Sequence, residues 1–220
     1  MKVNAIITGA TGMVGEGVLH ECLQDADVEQ ILLLNRKPTG ISHAKVRELI
    51  HDDFFDLTPV AAQLTGYNAC FFCLGVSSVG MTEADYYHLT YDLTIHAAQL
   101  MARQNPDMTF CYVSGSGTDS TAQGRVMWAR IKGATENALR LLPFRKTYMF
   151  RPGFLLPTKG LKNVKSYYRY IAWLYPVFRL VLPSFVSTLQ ELAKAMIKAT
   201  TKGYDKSILE VNDIVKLAKS

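Results

Sequence analysis

The chain predicts an α/β fold: a doubly wound parallel sheet with a small helical C-terminal cap, in one domain spanning residues 1–220. Three observations carry this. Strand-like and helix-like patterns alternate from the first residues onward. The fourth strand-like run, "NACFFCLG" (68–75), is continuously apolar, as a parallel strand covered on both faces should be. The first strand-like run passes through a glycine-rich turn directly into a helical pattern. The 220 residues, 49% of them hydrophobic, are enough to bury one such core.

The elements follow in order. "KVNAIIT" (2–8) is the first strand. "GMVGEGVLHECLQ" then places Val14, Val18 and Cys22 at helical spacing. "QILLLN" (30–35) and "KVRELI" (45–50) are the second and third strands. "DLTPVAAQL" (56–64) reads as a short helix capped by Asp56 or Thr58. "NACFFCLG" (68–75) is the fourth strand and "TEADYYHLTYDLTIHAAQLMARQ" (82–104) one long helix. "MTFCYVSGSG" (108–117) is the fifth strand, ending in a Ser/Gly turn. "GRVMWARIKGATENALRLL" (124–142) is a second long helix. "KTYMFRPGFLLP" (146–157) is the sixth strand with its exit loop. Residues 158–188 break the rhythm and are read as a helical cap on the substrate side. "LQELAKAMIKATTKG" (189–203) is amphipathic and closed by Gly203; "SILEV" (207–211) and a short helix finish the chain.

Composition narrows the function classes. The net charge of +5 is mild, and Lys and Arg are scattered without a long run, so an anionic small molecule is the expected ligand and nucleic acid is not. The small-molecule substrate itself is not identified by these features. Cys70 and Cys73 form a C-x-x-C inside an apolar run, with no second pair or histidine cluster to complete a metal site. They are read, with Cys22 and Cys111, as buried thiols of a reducing compartment, and a cytoplasmic location is expected. No signal-peptide pattern opens the chain. The segment 167–182 contains Arg169, Pro176 and Arg179 and falls short of the ~20 apolar residues of a span. No membrane span is therefore expected, and a surface-lying helix stays open.

The turn "TGATGMVG" carries the chemistry. Gly9 allows the tight exit from the strand, Gly12 lets amides approach a diphosphate, and Gly15 lets the helix pack closely. Thr11, Met13 and Val14 complete this stretch, whose helix start presents positive dipole and free N–H groups to an anion. The residue that reads the adenosine ribose belongs about 20 residues further on. Here stands Asn35, followed by Arg36 and Lys37 instead of an acid. A guanidinium fork pairs bidentately with phosphate, so NADP(H) is favoured over NAD(H). A merely solvated basic turn is the alternative. Asp53 falls where an adenine amino group could be met, or is a plain turn residue.

Taken together, "TGATGMVG", "LLNRK", "DDFFDL", "CLGVSS", "WARIKGATE" and "FRPGFLLP" resemble, in order, the atypical short-chain dehydrogenase/reductases, NAD(P)-binding proteins of Rossmann fold. The nearest subgroup is the Tat-interacting-protein-like one, and the resemblance covers roughly residues 1–157. It implies that Gly75 lies along the cofactor and that Ser114 or Ser116 matches the serine that hydrogen-bonds a substrate carbonyl. It implies that Lys132 holds the nicotinamide ribose, and that Pro152 and Gly153 pass the nicotinamide ring.

One piece departs from that pattern. The tyrosine expected four residues before Lys132 is Trp128. Reducing a carbonyl needs a proton at oxygen, and an indole N–H donates a hydrogen bond without releasing a proton. Trp128 then shapes the pocket, or packs into the core and leaves Lys132 solvated. Tyr86, Tyr87 and Tyr91 are packing or inter-subunit residues, and a homodimer is compatible with them. The first reading is an NADP(H)-dependent oxidoreductase with an altered proton donor. The alternative is a non-catalytic NADP(H)-sensing or partner-binding protein, and a nucleotide-sugar epimerase ranks third.

Overall fold

The computed structural model describes residues 1–164 and 172–220. The strands are β1 (Val3–Thr8), β2 (Val28–Asn35), β3 (Val46–Ile50), β4 (Ala69–Phe72), β5 (Thr109–Val113), β6 (Lys146–Arg151), β7 (Phe154–Leu156), β8 (Val186–Thr188) and β9 (Ile208–Glu210). The helices are α1 (Met13–Gln24), α2 (Glu83–Tyr87), α3 (Leu93–Gln104), α4 (Met127–Leu139), α5 (Tyr175–Val181), α6 (Leu189–Thr201) and α7 (Val211–Lys219).

Seven strands pair in the order β3-β2-β1-β4-β5-β6-β9, every pairing parallel. The doubly wound α/β sheet is as the sequence predicts. Its continuous apolar runs have the expected cause. Ile7, Leu33, Phe71 and Phe150 point to one buried cluster with Leu19, Leu192, Met196 and Ile214. Their neighbours Ile6, Leu32, Leu34, Phe72 and Phe110 point to the other, with Ala97, Met101 and Leu139. Both faces are covered over the central strands, which do not alternate; the edge strand β3 does, with Arg47 and Ile50 exposed. The chain order reverses beside β1, between β2 and β4, and a ligand crevice belongs at the carboxyl ends there.

Four expected elements come out differently. The helix over 82–104 is interrupted by a π turn, His88–Asp92, that packs against α4. Extra residues in a helical turn are accommodated this way. The segment over 56–64 is a 3-10 helix, Thr58–Leu64, with Leu57 at the N-cap position; Asp56 instead accepts from the Thr58 amide at 2.9 Å. The sixth strand stops at Arg151, since Pro152 has no amide for the ladder, and β7 begins separately. The described part of 158–188 is a 3-10 turn (Ala172–Leu174), α5, and β8, which pairs with β7 in a parallel ribbon. It is thus only partly helical, and residues 165–171 lie outside the described residues. No described helix is long and apolar enough to cross a membrane.

The loop between β5 and α4 is fixed from both sides. Asp119 donates its amide to the Ala129 carbonyl at 3.0 Å. Its carboxylate accepts from the Thr121 hydroxyl and the amides of Thr121, Gln123 and Gly124. These bonds, the Thr121 hydroxyl first and the Gly124 amide next, hold its acidity below the usual carboxylate range. A Cβ on Gly133 would lie 1.7 Å from the Asp119 carbonyl oxygen. Gly133→Ala must therefore push helix and loop apart, and we expect about 1–3 kcal/mol of destabilisation by chemical denaturation. An unchanged midpoint would contradict this close approach.

Candidate functional site

The glycine turn is built by contacts that admit no side chain. Gly9 has φ +72°, and a Cβ there would come within 2.9 Å of the Cys73 carbonyl and of Leu74 Cα at the end of β4. A Cβ on Gly15 would fall 2.2 Å from the Gly9 carbonyl oxygen. Gly15 therefore admits the turn's own carbonyl, a closer constraint than helix-on-sheet packing. Gly12 takes the N-cap position of α1 with no side-chain cap, and its amide donates to the Gly9 carbonyl at 2.9 Å. The first-turn amides of Met13 and Val14 have no carbonyl one turn earlier in the helix. Their side chains pack down on the core. A backbone-lined turn with an uncapped helix start fits the diphosphate of a dinucleotide.

A cleft of about 510 Å³ opens from this turn, lined by Gly9, Thr11, Leu34, Asn35, Arg36, Lys37, Asp52, Phe54 and Leu74. Arg36 and Lys37 are exposed, and among the described residues neither side chain has a hydrogen bond or ion pair. Asn35 is different. It is buried, and its Oδ1 accepts the Ala10 amide at 3.2 Å while Nδ2 reaches Glu48 Oε1 at 3.4 Å. Its side chain clamps the turn and is not free to read a ribose. A smaller recess of about 130 Å³ continues beyond Arg36, with Asp52, Asp53, Phe54, Phe55, Gly75, Leu89 and Leu93 on its walls. Asp53 lines it, yet its Oδ1 accepts the Phe55 amide at 2.8 Å in a local turn. Asp52, which lines both spaces, was not singled out by the sequence. Gly75 borders the recess with open space around it.

The far end of the sheet brings α4 to the exits of β5 and β6. The sequence missed its central residue, Glu136, which is fully buried. Glu136 Oε1 accepts from the Ser114 hydroxyl at 2.6 Å and from Arg151 Nε at 3.0 Å; its Oε2 accepts from Arg151 Nη2 at 2.5 Å. Arg151 also reaches Ser120 Oγ at 2.7 Å and Glu210 at 3.1 Å. The spacing Lys132–Glu136, one turn apart on a helix, with an arginine just before Pro152, was the available signal.

This network sorts the expected residues. Ser114 is spent on Glu136, whereas the half-buried Ser116 keeps its hydroxyl without a partner among the described residues. The Ser116 amide donates to the Pro152 carbonyl at 2.8 Å. Gly153 is required elsewhere: a Cβ there would lie 2.1 Å from the Phe185 carbonyl oxygen. Lys132 donates its ammonium to the Ser114 carbonyl at 2.5 Å. Burial pulls its pKa from the ordinary 10.5 down to about 8, against the opposing pull of Glu136. Trp128 is half-buried, with its ring edge against Gly117, where a Cβ would stand 3.6 Å from Cη2. It borders the Ser/Gly turn and does not fill the core.

Other expected groups lie outside this site or within the core. Tyr87 and Tyr91 stack on each other at 4.7 Å. Tyr86 is buried and its phenol pushed up by that burial. All four cysteines are free thiols, Cys73 half-buried and the others buried.

Comparison with known proteins fixes the family. The model of the NAD dependent epimerase/dehydratase family matches residues 5–125. The chain belongs to that family. The resemblance to the atypical short-chain dehydrogenase/reductases is thereby borne out, and the family's description names a nicotinamide dinucleotide.

A relative of this family member, "Protein fmp52-1, mitochondrial" of Aspergillus terreus, is 26% identical over 97% of each chain. The Emericella nidulans fmp52 protein is 27% identical over 69% of this chain and 66% of its own. "Leucinostatins biosynthesis cluster protein T" of Purpureocillium lilacinum is 30% identical over 54% of this chain, and the chain spans only 45% of its length. The cytoplasmic expectation is overturned here, because the fmp52 relatives are named as mitochondrial. Cysteine usage carries no address.

Among solved structures, the Bordetella bronchiseptica enzyme WbmF in complex with NAD+ superposes with a TM-score of 0.66 at 13% identity. It covers 99% of this chain and 77% of its own. A short chain dehydrogenase family protein from Francisella tularensis gives 0.65 at 13%, covering 92% and 93%. These likenesses concern the fold alone.

The lowered Lys132 pKa has a thermodynamic sign. Between about 8 and 10.5 the unfolded chain holds a proton that the folded chain has released, so this group's contribution to stability rises with pH across that window. Below pH 8 the desolvation cost is present in full. Denaturation on each side of pH 8 should show wild type gaining on Lys132→Met as pH rises; a pH-independent difference would refute the burial argument.

Proposed function

We propose that the chain is an NADP(H)-dependent oxidoreductase acting on a small carbonyl or alcohol, with a proton donor other than the usual tyrosine. One observation carries the reading: the backbone-built turn and the unpartnered Arg36 and Lys37 line the same 510 Å³ cleft. The dinucleotide, when bound, supplies or accepts hydride. The chain's own residues do the rest. The amides at the start of α1 hold the diphosphate, and Arg36 with Lys37 meets the 2′-phosphate. Lys132 holds the nicotinamide ribose. Ser116, with its hydroxyl uncommitted, polarises the substrate oxygen, a role Ser114 cannot fill while it donates to Glu136. Trp128 walls the pocket beside Gly117. A proton donor works best with a pKa near the working pH, and Lys132 at about 8 meets that condition where an indole does not.

Trp128 also favours a second reading, a non-catalytic NADP(H)-sensing protein. Positioning and polarisation can sustain turnover without the usual acid, so the missing phenol does not decide the matter.

Two measurements test these readings. Arg36→Ala should weaken NADPH binding by about 1.5–3 kcal/mol and NADH binding far less; equal losses would sink the NADP(H) preference. Purified wild type should oxidise NADPH against a panel of aldehydes and ketones. Binding without any oxidation, combined with activity gained by Trp128→Tyr, would establish the sensing alternative.

A further inference from the structure

The chain beyond β7 returns across the start of α1. The Glu16 carboxylate accepts the Lys162 amide on Oε1 and the Asn163 amide on Oε2, both at 2.7 Å. Glu16 sits in the first turn of α1 at 9% exposure, and Leu161 packs on the core beside this contact. One buried carboxylate holding two consecutive amides fixes a short strap in place. Between the strap, the glycine turn and the exit of β2 lies a cavity of about 150 Å³, lined by Ala10, Thr11, Glu16, Pro38, Thr39, Ile41, Lys162 and Asn163. Thr11 also lines the main cleft, so the two spaces adjoin there. The Lys162 ammonium has no partner among the described residues.

We propose that this cavity is a phosphomonoester subsite in which Lys162, delivered by the Glu16 latch, faces the 2′-phosphate of the dinucleotide from the side opposite Arg36 and Lys37. The inference rests on the NADP(H) reading above. A phosphomonoester carries more than one negative charge at neutral pH, so one guanidinium does not neutralise it. Arg36 and Lys37 line the main cleft at the β2 exit and Lys162 lines the adjoining cavity from a separate segment, so a phosphate seated where the two spaces meet at Thr11 would draw cations from both segments. Glu16 also lines the cavity. Its two oxygens already accept amides, and its charge is opposed by the positive start of α1. Thr11 and Thr39 add hydroxyls able to donate to phosphate oxygens.

The experiment is calorimetric titration of NADPH and NADH into wild type, Lys162→Ala, Lys162→Arg and Glu16→Gln. Lys162→Ala should weaken NADPH by about tenfold and leave NADH within about twofold. Lys162→Arg should retain most NADPH affinity. Glu16→Gln keeps the side chain's size but loses one acceptor, so NADPH binding should fall in the same direction and the strap should be cut faster by protease. Lys162→Ala binding NADPH like wild type, or losing both nucleotides equally, would overturn the subsite. Those outcomes leave the main cleft's reading intact. Failure of wild type to bind either nucleotide would remove the cleft reading and the subsite with it.

Discussion

The whole site depends on one close approach: the carbonyl of Gly9 occupies the space where position 15 would carry a side chain. That contact lets β1 turn straight into α1, so the helix starts at the carboxyl edge of the sheet with its first amides facing outward. Neighbouring contacts repeat the constraint. Cys73 and Leu74 leave β4 against Gly9, and Asn35 leaves β2 with its amide oxygen on Ala10. Three parallel strands thus end on one turn. The turn is lined by backbone because side chains are sterically excluded, and the cationic side chains in the cleft, Arg36 and Lys37, come from the next strand out.

A second constraint governs the far end of the sheet. Glu136 and Arg151 form a buried ion pair, and such a pair stabilises only when its remaining lone pairs and protons are satisfied. Ser114, Ser120 and Glu210 supply that satisfaction, so α4 is tied to the ends of β5, β6 and β9. The cost is one hydroxyl: Ser114 leaves the pool of groups available to a substrate. The gain is geometric. Its carbonyl is held still beneath the Lys132 ammonium, one helical turn from Glu136.

The strands and the glycine turn were legible in the sequence because burial on both faces and steric exclusion leave strong local marks. Arg36 and Lys37 were legible because the distance from the turn to the end of β2 is set by the fold. Choices between neighbours were not. Ser114 and Ser116 look alike in "SGSG", and only a carboxylate from α4 separates them. Asn35 looked like a ligand group, and its task is to hold Ala10. Gly153 looked like a cofactor glycine, and Phe185, distant in sequence, demands it. Each of these is a long-range contact to a residue type common in any chain. The π turn, too, follows from packing against α4 and not from helical periodicity.

Trp128 and Lys132 are best understood together. A tyrosine at position 128 would bring a phenol whose acidity a neighbouring ammonium enhances. Trp128 offers no such acid. Lys132 is left with the Ser114 carbonyl and the opposing pull of Glu136, and burial lowers its pKa to about 8. On the proposed reading, an indole in place of the phenol removes one acid, while burial, and not the residue at 128, moves the Lys132 cation toward neutrality. On that reading the proton donor changes while α4 stays held by Glu136 and by the close approach at Gly133.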